Sequence, residues 1–246
     1  MSLSGGLSAP PDEVGMKKKL VVLTGAGISA ESGLRTFRDS DGLWEEHNVM
    51  DVASIEGWHR NPELVIDFYN QRRRQLATVS PNRGHIVLAE LERDFDVRIV
   101  TQNVDDLHER AGSTNIVHLH GELTKIRSLD DVTILDIGYG DLQPGQTDER
   151  GVQLRPHIVW FGEAVPLIAT ADRLVREADI FAVIGTSLVV YPAAGLVNSL
   201  RPGTPAFLVD PGEVGMHLPS NFTVFKEGAG SGVEKMRERL SAYVVR

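Results

Sequence analysis

Four short runs along the chain are apolar at almost every position: residues 20–23, 97–100, 180–184 and 206–209. A strand with one wet face alternates apolar and polar residues, so unbroken runs of this length suit strands covered on both faces, as in a parallel sheet. Between them, apolar positions recur at helical spacing over 62–79, 85–93, 167–177, 193–200 and 233–243. Strands alternating with helices predict an α/β fold with a doubly wound parallel sheet, whose ligands bind at the carboxyl ends of the strands. Two stretches break the rhythm. From 37 to about 80 no strand is evident, and from about 125 to 155 the chain is acidic and punctuated by Gly and Pro. The two insertions, about 38–80 and 125–155, are expected to form a small second lobe on a catalytic domain spanning 16–246. Residues 1–15, rich in Ser, Gly and Pro, read as a flexible tail without the basic and apolar regions of a signal peptide.

Composition narrows the function classes. Asp and Glu number 34 against 25 Lys and Arg, a net charge of -9, which repels a phosphate backbone and makes nucleic acid a poor partner. An acidic surface suits lysine-rich protein segments, although solubility alone accounts for the same charge. No apolar run approaches the roughly 20 residues that cross a bilayer, so a cytoplasmic protein without membrane partners is expected, and a monomer is the default expectation. The chain has no cysteine, which excludes disulfides, thiolate zinc sites, iron–sulfur clusters and cysteine nucleophiles.

Three segments carry candidate chemistry. The run at 20–23 leads into Thr24-Gly25-Ala26-Gly27-Ile28-Ser29 and Ala30-Glu31-Ser32-Gly33. Glycines after a strand allow a tight turn and close approach to a pyrophosphate, with Ala30 in the third glycine position, a substitution the dinucleotide fingerprint permits. A plain strand-to-helix turn is the alternative. Next, Thr101-Gln102-Asn103-Val104-Asp105-Asp106-Leu107-His108 follows a predicted strand directly. Its amides and carboxylates suit a ribose or a carboxamide, and Asn103 or Asp105 equally suits a helix N-cap. Finally, Ile116-Val117-His118-Leu119-His120-Gly121 places both histidines on one side of a strand, with a glycine turning the chain out beyond. A histidine beside a nucleotide site can act as base towards a hydroxyl. Two histidines two apart can also ligate a metal, but no third ligand lies near in sequence.

Six segments in the same order resemble the sirtuin family: Gly25-Ala26-Gly27-Ile28-Ser29, Gly33 with Phe37-Arg38, Gln102 to His108, His118-Leu119-His120-Gly121, Val159-Trp160-Phe161-Gly162-Glu163 and Gly185-Thr186-Ser187. The resemblance, closest to the bacterial branch, runs from Lys18 to the C-terminus and implies a Rossmann-like NAD-dependent protein-lysine deacylase. It implies that Gly25, Ala26, Gly27 and Ser29 cradle the NAD phosphates and that Phe37 and Arg38 cover the cofactor. Gln102, Asn103, Val104 and Asp105 would hold the nicotinamide ribose and pocket; Gly185, Thr186, Ser187, Asp210 and Ala229 would hold the adenosine side. In the family the acyl-lysine carbonyl attacks the nicotinamide ribose and expels nicotinamide. His120, with Asn103 and Asp105, would then promote transfer of the acyl group to the sugar, giving free lysine and O-acyl-ADP-ribose. Val159 and Phe161 would bind the acyl-lysine peptide as an added strand.

The chain departs from the family at Thr36, at Asp210 where many members have Asn, and most sharply in lacking the four cysteines of a structural zinc. No metal is therefore expected, and Leu129, Val132, Ile134, Leu135, Ile137 and Leu142 offer a hydrophobic substitute. Tyr69 and Arg72 share a helix face. They match the family's Tyr-x-x-Arg pair that reads acidic acyl groups, which implies desuccinylation or demalonylation beside deacetylation; three consecutive arginines also suit a solvated face. Alternatives are mono-ADP-ribosyl transfer to protein, or a catalytically silent NAD sensor, which the intact His120 and Asn103 disfavour. A dehydrogenase is disfavoured because no ribose-binding acid follows the glycine turn at about 20 residues.

Overall fold

The computed structural model of the protein describes residues 16–34, 43–44 and 47–245; the tail at 1–15 and the cofactor-loop candidates Phe37 and Arg38 lie outside these. β1 (Lys19–Thr24) leads through two 3-10 turns to a short ribbon of β2 (Leu43–Trp44) and β3 (His47–Asn48), then to α1 (Val49–Val52), α2 (Ile55–Arg60) and α3 (Pro62–Leu76). α4 (Arg83–Leu91), β4 (Asp96–Thr101), α5 (Leu107–Ala111) and β5 (Ile116–His118) follow. β6 (Gly121–Ser128), β7 (Ile134–Asp136) and β8 (Leu154–Ile158) come next, then α6 (Ile168–Glu177), β9 (Ile180–Ile184), β10 (Ala206–Val209), β11 (Phe222–Phe225) and α7 (Ala229–Leu240).

The main sheet has the order β11-β10-β9-β1-β4-β5, and every pairing in it is parallel. Its central strands are largely apolar because both faces are covered. Leu20 and Val22 pack with Leu88 of α4 and Met236 of α7, while Val21 and Leu23 pack on the other face with Ala171 and Val175 of α6. The chain steps outward from β1 to β4 and β5, then returns to the opposite flank of β1 as β9. That reversal opens a crevice at the carboxyl ends of β1, β4 and β9, where doubly wound sheets bind ligands.

Helix boundaries follow local chemistry. α3 starts where the Asn61 side chain accepts from Leu64 N–H with Pro62 in the first turn. It stops at Leu76, short of the predicted 79, because β-branched Thr78 and Val79 run into Pro81. The predicted helix at 193–200 is a 3-10 helix, Ala193–Ser199, with Pro192 as its cap and Gly195 within it.

α1, α2 and α3 share a third core with the antiparallel sheet β7-β6-β8, in which Trp58, Phe68 and Tyr69 meet Leu123, Ile126, Leu142 and Trp160. The expected hydrophobic substitute for a metal is mostly not there. Leu142 is buried, but Leu129, Val132, Ile134 and Leu135 are exposed, because among the described residues no layer packs over the β6–β7 turn or over β7. A polar knot around Arg150 ties the turns together instead. Its guanidinium donates to both Asp130 oxygens at 2.7 and 3.0 Å and to Asp148 at 2.7 and 3.1 Å. The Thr133 hydroxyl donates to the same Asp148 oxygen at 2.8 Å, and the N–H groups of Arg150 and Val152 donate to its other oxygen. No helix among the described residues is long and apolar enough to cross a membrane.

Candidate active site

The glycine-rich turn after β1 meets the turn after β9. Gly25 N–H donates to Ile184 O at 3.0 Å and Gly27 N–H to Gly185 O at 2.8 Å. A Cβ on Gly25 would lie 2.7 Å from Thr186 Cβ, and one on Gly27 2.7 Å from Gly185 Cα and O. The glycines are thus required for the two turns to interlock. Gly185 itself sits at φ +65°, a left-handed conformation suited to glycine. No α-helix follows at once: the N–H groups of Gly27, Ile28 and Ser29 are taken up by the turns themselves. Among the described residues, the N–H groups of Ala26, Thr186 and Ser187 have no hydrogen-bond partner, so both turns offer donors suited to an anion.

A cavity of about 780 Å³ opens there, in the upper part of the ~300–1,000 Å³ range of small-molecule sites. It brings together Gly25, Ala26, Gly27 and Ser29, the segment Gln102 to Asp105, His120, Tyr69, Arg72, Val159, Phe161, Gly185 to Ser187 and Asp210. Ala229 is not on its wall. That residue is buried in the first turn of α7 next to Gly84, and Gly228 before it faces the cavity.

Hydrogen-bond directions at the floor can be assigned. His85 Nδ1 accepts from Asn82 N–H, so its Nε2 carries the proton and faces Ser29 Oγ at 3.4 Å. Ser29 also accepts from Asn103 Nδ2 at 3.2 Å and donates to Asp105 Oδ2 at 2.9 Å. Asp105 Oδ1 accepts from Leu107 N–H at 3.2 Å, so this carboxylate caps α5 and lines the cavity at once. Burial pushes its pKa up from 3.8 to about 6, against the Leu107 and Ser29 hydrogen bonds.

The two histidines part company. His120 Nδ1 lies 3.0 Å from the Gln102 carbonyl, which can only accept, so the proton sits on Nδ1 and Nε2 keeps its lone pair. Burial pushes its pKa below 6.5, which keeps the ring neutral at neutral pH. His118 has both nitrogens engaged, Nδ1 with Asn103 O at 3.0 Å and Nε2 with Glu109 at 2.8 Å. Burial opposes its charge, but the Glu109 carboxylate outweighs burial and raises its pKa.

Tyr69 and Arg72 reach the cavity from one face of α3, and Gln75 and Leu76 extend the stripe. Trp160 Nε1 donates to the Tyr69 hydroxyl at 3.0 Å. The segment at 159–161 has less open edge than expected. Val159 N–H donates to His120 O, Phe161 N–H to Ala53 O, and Ile55 N–H to Phe161 O. Among the described residues, the Val159 carbonyl is left without a donor.

Sequence reasoning did not find Glu31, Gln75 or Trp160 as wall residues. Gln75 was within reach by extending the Tyr69–Arg72 stripe one more turn. Glu31 gave no local signal, because it is placed by Gly230 N–H, 199 positions away.

Comparison with known proteins agrees with this geometry. The Sir2 family model matches residues 25–192. An NAD-dependent protein deacylase of Bacteroides thetaiotaomicron is 55% identical over 229 residues, covering 91% of this chain and 98% of the relative. One of Helicobacter pylori is 52% identical, covering 91% and 97%. The crystal structure of a Sir2 homolog–NAD complex superposes with a TM-score of 0.83 at 36% identity, covering 93% of this chain and 91% of that one.

Proposed function

This chain belongs to the Sir2 family and is an NAD-dependent protein deacylase, and from that premise we propose that it removes acidic as well as acetyl groups from lysine with His120 as base. The residues present fit NAD: unpartnered N–H donors lie where two glycine turns interlock, and buried Asn103 and Asp105 stand at the adjoining strand end. NAD, when bound, supplies a ribose carbon that releases nicotinamide and a sugar hydroxyl that receives the acyl group.

Gly25, Ala26, Gly27 and Ser29 with Gly185, Thr186 and Ser187 hold the diphosphate and adenosine, Asp210 lies at that end, and Phe37 and Arg38, outside the described residues, are assigned to the same cofactor. Gln102, Asn103, Val104 and Asp105 hold the nicotinamide end, with Ser29 bridging Asn103 to Asp105. The Val159 carbonyl accepts the N–H of the acyl-lysine amide. His120 takes the proton of the sugar hydroxyl at Nε2, and its Nδ1–H bond to Gln102 O stabilises the imidazolium that forms. Tyr69 and Arg72 read the far end of an acidic acyl group, where a guanidinium offers charge-assisted bonds that an acetyl group cannot use.

The observation that carries this reading is the tautomer of His120, whose lone-pair nitrogen belongs to a ring on the same cavity as the glycine cradle and the Tyr69–Arg72 face. We infer further that the enzyme works as a cytoplasmic monomer without zinc and without nucleic-acid or membrane partners, on the support of its negative charge, its lack of cysteine and the Arg150 knot. Mass spectrometry of matched acetyl- and succinyl-lysine peptides, with and without NAD, tests it. Both peptides should lose their acyl groups only with NAD, yielding O-acyl-ADP-ribose. ADP-ribose attached to protein would favour the transferase alternative, and no turnover would favour a sensor.

A further inference from the structure

His118 and His120 each hold one carbonyl of the turn that follows β4. His120 Nδ1 lies 3.0 Å from Gln102 O and His118 Nδ1 3.0 Å from Asn103 O, because Thr101 lies opposite His118 in the ladder and both rings fall on one side. They differ at the other nitrogen. His118 Nε2 lies 2.8 Å from Glu109 Oε1 on α5, and the His118 side chain is only 8% exposed. A carbonyl and a carboxylate can only accept, so each nitrogen of His118 carries a proton and the ring is an imidazolium. Burial opposes that charge, but Glu109 and then Glu122 of β6 favour it and the pKa is raised. Burial and the neighbouring rings of His85 and His118 keep His108 of α5 neutral. Against the burial that raises it, Asp105 is drawn back by Leu107 N–H, Ser29 and the His118 charge, and Lys125 of β6 acts on Glu109.

A ring that loses one proton can serve only one of its two acceptors. The charged carboxylate is the stronger, so the remaining proton goes to Nε2, and the Nδ1 lone pair then faces Asn103 O. We propose that His118 is a positioning residue for the nicotinamide end of the site, which as an imidazolium paired with Glu109 clamps the Asn103 carbonyl and on deprotonation releases it. The inference rests on the placing of nicotinamide at Asn103 and Asp105 above. It adds that cofactor affinity is tied to the charge of a histidine outside the cavity wall, while His120 on the wall works neutral. Because the folded protein favours the charged ring, the clamp is complete below the ordinary 6.5 and is lost as pH rises through the raised value.

The test is NAD affinity by titration calorimetry, and kcat with an acetyl-lysine peptide, for wild type and Glu109→Gln from about pH 6 to about pH 9. In Glu109→Gln the amide can donate to Nε2, so a neutral ring keeps its Nδ1 proton on Asn103 O. The wild-type Kd for NAD should rise about 3- to 10-fold across that range, the scale of one hydrogen bond, while that of the variant stays within about 2-fold. At the alkaline end the variant should thus bind NAD more tightly than wild type, which the loss of a merely structural contact would not give. At saturating NAD, kcat should follow the same pH profile in both. NMR of 15N-histidine-labelled protein, with His118 assigned by its loss in His118→Gln, should show both nitrogens protonated at the acid end. At the alkaline end the proton should sit on Nε2 in wild type and on Nδ1 in Glu109→Gln. Parallel Kd profiles, a flat wild-type profile, or a neutral wild-type ring with its proton on Nδ1 overturns the clamp and leaves the NAD site as assigned. Wild-type NAD binding and turnover in Asn103→Ala overturns the placing of nicotinamide and the inference with it.

Discussion

Asp105→Asn should make the protein more stable at neutral pH while crippling it as an enzyme. The carboxyl is 6% exposed, and burial raises its pKa from 3.8 to about 6. By linkage, a carboxyl held that far above its unfolded value costs about 3 kcal/mol once both states are ionised. Below pH 3.8 both states are protonated and the cost is absent. Between 3.8 and 6 the folded protein keeps a proton that the unfolded chain releases, so stability falls as pH rises. Above 6 the full cost persists. Asparagine has no such cost and keeps the bond from Leu107 N–H, but it cannot accept the Ser29 hydroxyl at its NH₂ end, a loss of about 1 kcal/mol. The burial cost is the larger effect, leaving a net gain of about 2 kcal/mol at pH 7.5, or about 4–8 °C in Tm for a chain of this size. Differential scanning calorimetry of both proteins without NAD, at pH 7.5 and pH 4, reads the difference, since the other titrating groups are common to both. A variant less stable than wild type at pH 7.5, or a gain that persists undiminished at pH 4, refutes the reasoning.

Other outcomes follow from the same geometry. His120→Ala should nearly abolish NAD-dependent deacylation while NAD binding by calorimetry stays largely intact; wild-type-like turnover would sink the base assignment. Arg72→Met should cut desuccinylation roughly 30-fold or more and deacetylation far less, the scale of about 2–5 kcal/mol for a desolvated charge left unpaired. Arg74→Met, which removes an exposed pair with Asp141, is the control, and equal losses at both positions would return the cluster to a solvated charge run. A chelator should leave Tm and activity unchanged, whereas Arg150→Met should lower Tm; one tightly held zinc per chain by elemental analysis would contradict this.

The inner strands β1, β4, β9 and β10 of the main sheet were legible because burial on two faces writes itself as near-continuous apolar runs, and the strand ends then pointed to Gln102 to Asp105 and His120. Contacts made by residues distant in sequence were not legible. Gly25 and Gly27 read as making room for a ligand, yet the atoms they admit belong to Gly185 and Thr186. His118 and His120 looked equivalent by alternation until the carbonyls of Asn103 and Gln102 and the Glu109 carboxylate separated them. The resemblance did not separate Ala229 from Gly228 at the start of α7, where one residue's rotation decides between core and cavity. The apolar residues of the small lobe misled because apolar character records what could be buried, and none of the described residues packs over that turn.

The knot at Arg150 gives the small lobe a different set of vulnerabilities. It is made from a guanidinium, two carboxylates and a hydroxyl, with Ser128 at its edge, none of which peroxide attacks as it attacks thiolates. With no cysteine in the chain, oxidative stress finds no thiolate there to convert. Its weakness lies with acid and ionic strength. Arg150 holds the Asp130 carboxyl far below the ordinary range, so the clasp keeps its charge until the medium is strongly acidic, while the exposure of the pair leaves it open to salt screening. That clasp should therefore be indifferent to peroxide and give way first in strongly acidic, high-salt medium.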